Sequence, residues 1–167
     1  GLMAEHKHTR ASAGLFDVSH MGQLKLVGAD AAAALETLLP VDVLGLGLHK
    51  QRYGLLLTDE GTIIDDLMFV NWGDPAATGE TVPRAEGEGP APQLFLIVNG
   101  ACKVGDIAHI QARIGQRCQV LPMPERALLA LQGPKAVDAL ARVVPGVEAL
   151  VFITGPPFSW NCASLYI

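Results

Sequence analysis

The sequence predicts an α+β fold built on an antiparallel sheet. Three features predict it: short apolar stretches with strand-like alternation, two stretches with helical spacing, and two strand-like runs meeting at the turn Asp59-Glu60-Gly61. Half of the 167 residues are hydrophobic and 17% are charged, enough apolar material to build a core and exclude a disordered chain. The length suits one medium domain, or one small domain with pieces of another.

Taken in order, residues 23–27 alternate polar and apolar between glycines and read as a strand. Residues 29–39 are rich in Ala and Leu and read as a helix, with Asp30 placed to cap it and Pro40 to stop it. Residues 51–58 and 62–71 read as two strands of a hairpin around the Asp59-Glu60-Gly61 turn. Residues 72–92 hold four glycines and four prolines, which predicts an exposed, mobile loop. Residues 93–99 form an apolar strand, and 102–114 suit an amphipathic helix. Residues 126–131 read as a further strand. Gly133-Pro134 then opens a helix to about Val144, because proline suits the first helical position. This order approaches a ferredoxin-like β-α-β-β-α-β core. Residues 155–167 have no clear period and read as a tail.

The net charge of −5, with no cluster of Lys and Arg, predicts no nucleic-acid partner. No apolar run reaches the ~18 residues of a membrane span, and the polar, His-rich start has no signal-peptide core. Cys102, Cys118 and Cys162 are widely spaced, which argues against a disulfide framework or a cysteine metal site. His6, His8 and His20 lack a metal-ligand spacing, so no metal is expected. Gly45-Leu46-Gly47 lacks the rest of a phosphate loop.

Several segments could carry chemistry. In Ile63-Ile64-Asp65-Asp66-Leu67-Met68-Phe69-Val70, strand alternation puts Asp65 on the face of Leu67 and Phe69 and Asp66 on that of Met68 and Val70. Both faces are apolar, which predicts a strand covered on both sides. A carboxylate there must be paired or hydrogen-bonded. The two diverge, so they do not form an acid/base dyad. Ser19-His20 lacks a third, orienting group for a nucleophilic triad; Asp17 and Ser19 suit a turn. Asn99 ends a buried strand, where an amide either makes a turn or recognises a flat heterocycle.

Four segments, in this order and spacing, resemble the glycine cleavage T protein family: GLFDVSHMG at residues 14–22, GTIIDDLMFV at 61–70, LIVN at 96–99 and ALQGP at 130–134. Glu5-His6 and Thr9-Arg10 are similar to the stretch that precedes the first of them. The resemblance reaches about Ile153. It implies tetrahydrofolate-dependent transfer of an aminomethyl group from the lipoyl arm of a carrier protein, with release of ammonia and methylenetetrahydrofolate. Asp65 matches the essential carboxylate of the family, which orients the folate nitrogen and offsets cationic charge at the transferred carbon. Met21, Tyr53, Ile97 and Asn99 match folate-contacting positions. Asp66 is expected to be structural.

The resemblance also implies an organisation: residues 1–24 as the first part of a β-rich folate-binding domain, 25–123 as the ferredoxin-like domain with loop 72–92, 124–154 as a return to the incomplete folate-binding domain, and 155–167 as an unmatched tail. A downstream Gly-Tyr-Thr-Gly-Glu type segment of the family has no counterpart, so an incomplete fragment is expected. The expected compartment is the bacterial cytoplasm or the mitochondrial matrix. The alternative is a non-catalytic folate-binding module, such as an iron–sulfur cluster maturation relative. Those proteins carry a Lys-Gly-Cys-Tyr segment, absent here, and tend to lack the Asp-Asp-Leu carboxylate, present here.

Overall fold

The computed structural model describes residues 1–73, 91–160 and 163–167. The chain divides into two units. One comprises residues 21–126 and 153–155, the other residues 1–20, 127–152 and 156–167.

The larger unit is a five-stranded antiparallel sheet with two helices. Its strands are β2 (Gly22–Val27), β3 (Gln51–Leu57), β4 (Ile63–Gly73), β5 (Gln93–Val98) and β6 (Gln119–Pro122). Its helices are α2 (Ala31–Glu36) and α3 (Lys103–Ile114). The strand order is β3-β4-β5-β2-β6. The α+β class and the antiparallel sheet are therefore as expected, with five strands in this sheet instead of four. β3 and β4 form the expected hairpin around Gly61, which adopts a positive φ of 80°.

Register explains which residues make the core. Leu24 faces Leu96, Phe69 faces Leu96 from the other side, and Leu67 faces Val98. All are buried, and they pack with Leu35, Leu38, Leu39, Ile110 and Ile114 of the helical side. Burial of such side chains contributes about 1.5–3 kcal/mol each, before the entropy cost of ordering them. Gly22 lets α3 approach this sheet: a Cβ there would meet Val98 Cγ2 at 2.5 Å and Lys103 Cβ at 2.8 Å. On the opposite face Trp72 stacks on Phe95, with ring centroids 4.3 Å apart, and the Arg126 guanidinium lies 5.5 Å from the Trp72 ring centroid.

Several expectations change. Trp72 is not a loop residue: it lies in β4 and is buried. Gly73 also belongs to β4, and residues 74–90 of the predicted loop lie outside the described residues. Asp30 does not cap α2 with its side chain; its carboxylate instead accepts a hydrogen bond from Arg117 Nε at 2.6 Å. The strand β4 is not covered on both sides throughout, since Ile63, Ile64 and Asp66 at its start are exposed. A bulge at Leu56/Leu57 interrupts the pairing there.

In the smaller unit, α1 (Leu2–Ala11) precedes β1 (Gly14–Asp17), which pairs antiparallel with β7 (Leu129–Gln132). The helix after β7, α4 (Ala136–Ala141), is shorter than expected and begins two residues after Pro134. The reason is local: Gly133 adopts φ 122° against Thr9 and Ser12, and the Lys135 N–H donates to Ser12 O at 2.9 Å. Residues 155–167, which show no clear period in the sequence, carry two strands. These are β8 (Pro157–Trp160) and β9 (Ala163–Tyr166), which pair antiparallel.

Candidate functional site

Three strand ends converge in the larger unit. β2 begins at Gly22 opposite Val98, and Val98 also faces Leu67 of β4. Met21, Asn99 and the Asp65-Asp66 pair therefore lie at one end of three adjacent strands. The sequence motifs, far apart along the chain, meet here through register.

The central contact joins Asp65 and Asn99. The Asn99 side-chain amide donates to Asp65 Oδ1 at 3.0 Å, and it also lies 3.1 Å from the Asp66 carbonyl and 3.2 Å from Asp66 Oδ1. The Asp66 N–H donates to Asp65 Oδ1 at 2.9 Å. Two amide hydrogens thus serve three acceptors, which holds the side chain at one orientation. Asp66 is more than a bystander here, because both its carbonyl and its carboxylate help to orient Asn99.

Asp65 is half-buried and faces the helical side, as its alternation with Leu67 and Phe69 requires. Burial pushes its carboxyl upward. The Asn99 amide, the Asp66 N–H, the Cys102 thiol and the Asp106 carboxyl outweigh that and hold it below the usual carboxylate range. It is therefore ionised at neutral pH. Cys102, just before α3, donates its thiol hydrogen to Asp65; that bond, then the Asp65 charge, pushes the thiol up. Asp106, in the first turn of α3, is pushed up to about 6, first by burial and then by its hydrogen bond with Asp65.

Tyr53 and Ile97 fall on the other side of the sheet from Asp65. They belong to a row across the other face of the sheet, in which Tyr53 pairs with Met68 and Met68 with Ile97. Tyr53 is 63% exposed and Met68 and Ile97 are half-buried, so the row is an accessible apolar strip. Met21 is half-buried beside Gly22. The structure thus brings Asp65 and Asn99 into direct contact. It sets Met21 at the same strand end and Tyr53 and Ile97 on an adjoining strip.

Sequence reasoning missed Cys102, Asp106 and Met68 as neighbours of the site. Asp106 left a readable signal: Asp106, Ile110 and Ile114 recur every four residues, an acid in line with an apolar stripe. In the smaller unit, Ser19 N–H donates to Asp17 Oδ1 at 2.9 Å and Ser19 Oγ accepts from Leu128 N–H at 2.9 Å. These residues close a turn, and Ser19 is not arranged as a nucleophile. Among the described residues no group of three His, Cys, Asp or Glu side chains could hold a metal ion. Cys102 and Cys118 are free thiols, and Cys162 lies outside the described residues. No helix among the described residues is long and apolar enough to cross a membrane.

Comparison with known proteins finds aminomethyltransferases among the relatives of this chain. Residues 1–78 match the family model of the GCVT N-terminal domain. The chain is 38% identical over 146 residues to an aminomethyltransferase of Synechococcus sp. (strain CC9311), a match covering 86% of this chain and 37% of that one. It is 31% identical over 169 residues to the mitochondrial aminomethyltransferase of Dictyostelium discoideum, covering 95% of this chain and 38% of the relative. The glycine cleavage system aminomethyltransferase T of Bartonella henselae superposes with a TM-score of 0.78 at 37% identity, over 95% of this chain and 39% of that protein. The chain thus spans less than two fifths of the length of these relatives. Motifs, family match and fold agree: the chain is similar to the N-terminal part of the glycine cleavage T proteins (aminomethyltransferases).

Proposed function

We propose that this chain carries the Asp65 side of a tetrahydrofolate site used for aminomethyl transfer from a lipoylated carrier protein, in the breakdown of glycine. The observation that carries the reading is the Asp65–Asn99 pair at an open strand end. The site fits a reduced pterin: an ionised carboxylate, an amide whose donors are spent on Asp65 and Asp66 and whose oxygen can accept, and an adjoining strip of Tyr53, Met68 and Ile97 for a flat ring. Tetrahydrofolate supplies the nucleophilic nitrogen that takes up the one-carbon unit as ammonia leaves.

The residues of this chain act by orientation and charge. Asn99 and the Asp66 N–H hold the Asp65 carboxylate at a fixed angle. So held, Asp65 accepts from the folate and offsets positive charge developing at the transferred carbon. Met21 and Ile97 exclude water from the ring, and Tyr53 extends the apolar strip. The same reading takes the large sheet as ferredoxin-like, with β3 as an added edge strand. It takes residues 1–24 and 124–154 as parts of a second, folate-facing domain. Relatives are found in both bacteria and mitochondria, and either compartment suits this chemistry.

The test is Asp65→Asn. Ammonia release from an aminomethylated lipoyl carrier, with tetrahydrofolate present, is expected to fall about 10²–10³-fold, with the thermal transition retained. An unchanged rate would remove Asp65 from the mechanism. Folate binding by the wild-type protein without any ammonia release would point to the non-catalytic folate-binding module instead.

A further inference from the structure

Among the described residues, Asp106 is the only charged residue that is fully buried, at 1% exposure. It sits in the first turn of α3, in line with the buried Ile110 and Ile114. A lone carboxylate in such a row is strongly disfavoured. Asp106 Oδ2 is fully buried, and so is Asp65 Oδ2; neither receives an N–H or O–H from another group. Buried polar atoms without partners are rare in native structures and call for a physical account.

The two carboxyls supply it for each other, because they lie within hydrogen-bonding reach. Two carboxylates in contact repel. One carboxylic acid beside one carboxylate attracts, with a single proton between the two oxygens. Asp65 has the stronger reasons to be the ionised partner, since Asn99 and the Asp66 N–H both donate to its Oδ1. Asp106 has the stronger reason to be the acid, since its side chain is the more deeply buried.

We propose that Asp106 is a positioning residue for Asp65: as a carboxylic acid it donates to the buried Asp65 Oδ2 and fixes that carboxylate with Oδ1 toward Asn99 and the open strand end. The inference rests on the reading of Asp65 as the folate-facing carboxylate. It adds a residue that touches no substrate and acts only through Asp65. The titratable groups on the elements that carry the pair are Asp66 beside Asp65 on β4, Cys102 and Lys103 at the start of α3, and His109 three residues after Asp106 on α3, its Nε2 buried. β6, which packs on α3, contributes no titratable side chain, and β2 contributes Gly22. Loss of the shared proton leaves two adjacent carboxylates, so the geometry at Asp65 loosens as pH rises.

The experiment is a ¹³C-carboxyl NMR titration of the chain without folate, comparing wild type, Asp106→Asn and Asp65→Asn. Tetrahydrofolate affinity is then measured for wild type, Asp106→Asn and Asp106→Leu. In the wild type, the two carboxyls are expected to titrate in coupled steps, the upper one near pH 6. Asp106→Asn removes the upper step, and Asp65→Asn moves it down by about one pH unit or more. Asn keeps a permanent donor to Asp65 and Leu has none. Asp106→Asn is therefore expected to bind tetrahydrofolate within about 3-fold of wild type, and Asp106→Leu about 10-fold or more weakly. An upper step unchanged in Asp65→Asn would overturn the proposal, and so would equal affinity of the Asn and Leu variants. If Asp106→Leu fails to fold, the titration of the two Asn variants still decides. Uncoupled titration with folate binding intact removes the positioning role alone. Coupled titration with no folate binding by wild type overturns the folate reading of Asp65, and the positioning role with it.

Discussion

The two faces of the large sheet differ in what they are built to do. The face toward α2 and α3 is closed: Leu24, Leu26, Leu56, Phe69 and Leu96 are fully buried. The other face is open at one edge, where Tyr53 and Leu55 are exposed and Met68 and Ile97 half-buried. Asp65 and Asp66 are chain neighbours that fall on opposite sides of this divide. Asp65 meets Cys102 and Asp106, whereas Asp66 is exposed and bonds to Asn99. The closed face stores stability and shifts the protonation of its acids; the open face offers surface. A site at the boundary, with Asn99 as the link, draws on both.

The largest expected effect breaks the closed face. Phe69→Ala is expected to cost about 3–5 kcal/mol, read as a lower midpoint in urea, because Phe69 is fully buried in the core cluster. A loss under about 1 kcal/mol would mean the core packs differently from this account. Next is Asp65→Asn, whose expected loss of transfer, about 10²–10³-fold, corresponds to roughly 3–4 kcal/mol of transition-state stabilisation. It should still fold cooperatively, since Asn keeps the size of the side chain, with a somewhat lower urea midpoint near neutral pH because the stabilised carboxylate is gone.

A smaller effect comes from pH. Asp106 is raised to about 6 in the fold and titrates near the usual carboxylate value when unfolded. The folded chain therefore holds a proton that the unfolded chain releases. The stability this contributes is fully present below about pH 4 and is lost as pH rises through about 6. Asp65, held low, works in the opposite sense: its contribution is present above the usual carboxylate value and is lost as pH falls. Urea midpoints measured from pH 4 to 7 should thus show Asp106→Asn gaining on wild type, by roughly 1–3 kcal/mol at the upper end. A difference that does not change with pH would contradict the raised Asp106. The smallest effect is on the open face. Tyr53→Ala should change stability by no more than about 0.5 kcal/mol, because Tyr53 is 63% exposed, while weakening tetrahydrofolate binding. Loss of stability without loss of binding would make Tyr53 a packing residue.

The same divide governs what was legible in the sequence. Elements of the closed face announce themselves, because β2, the β3–β4 hairpin, β5 and α3 each carry an apolar pattern that burial enforces. Elements with little burial do not. Helix α1 buries no residue and has no apolar stripe to read. β6 is four residues long and ends at Pro122, too short for a period. Helix α4 starts late because the Gly133 turn, held by Ser12, consumes the residues that would open it. Within the candidate site, alternation correctly separates Asp65 from Asp66, but it cannot reveal that the start of β4 adjoins the end of β5. Only motif resemblance linked Asp65 to Asn99 beforehand. Asp106 was within reach of periodicity alone, at the four-residue spacing it shares with Ile110 and Ile114.

The most direct test of the account is to map tetrahydrofolate onto the chain by backbone amide NMR shifts. The account predicts that perturbations gather at Asp65, Asp66, Ile97 and Asn99, with smaller ones at Met21 and Tyr53. The opposite end of the same strands, at Val27, Gly73 and Gln93, should stay unchanged. Perturbations centred on that opposite end, or absent at saturating ligand, would contradict the claim that the converging strand ends around Asp65 and Asn99 hold the folate.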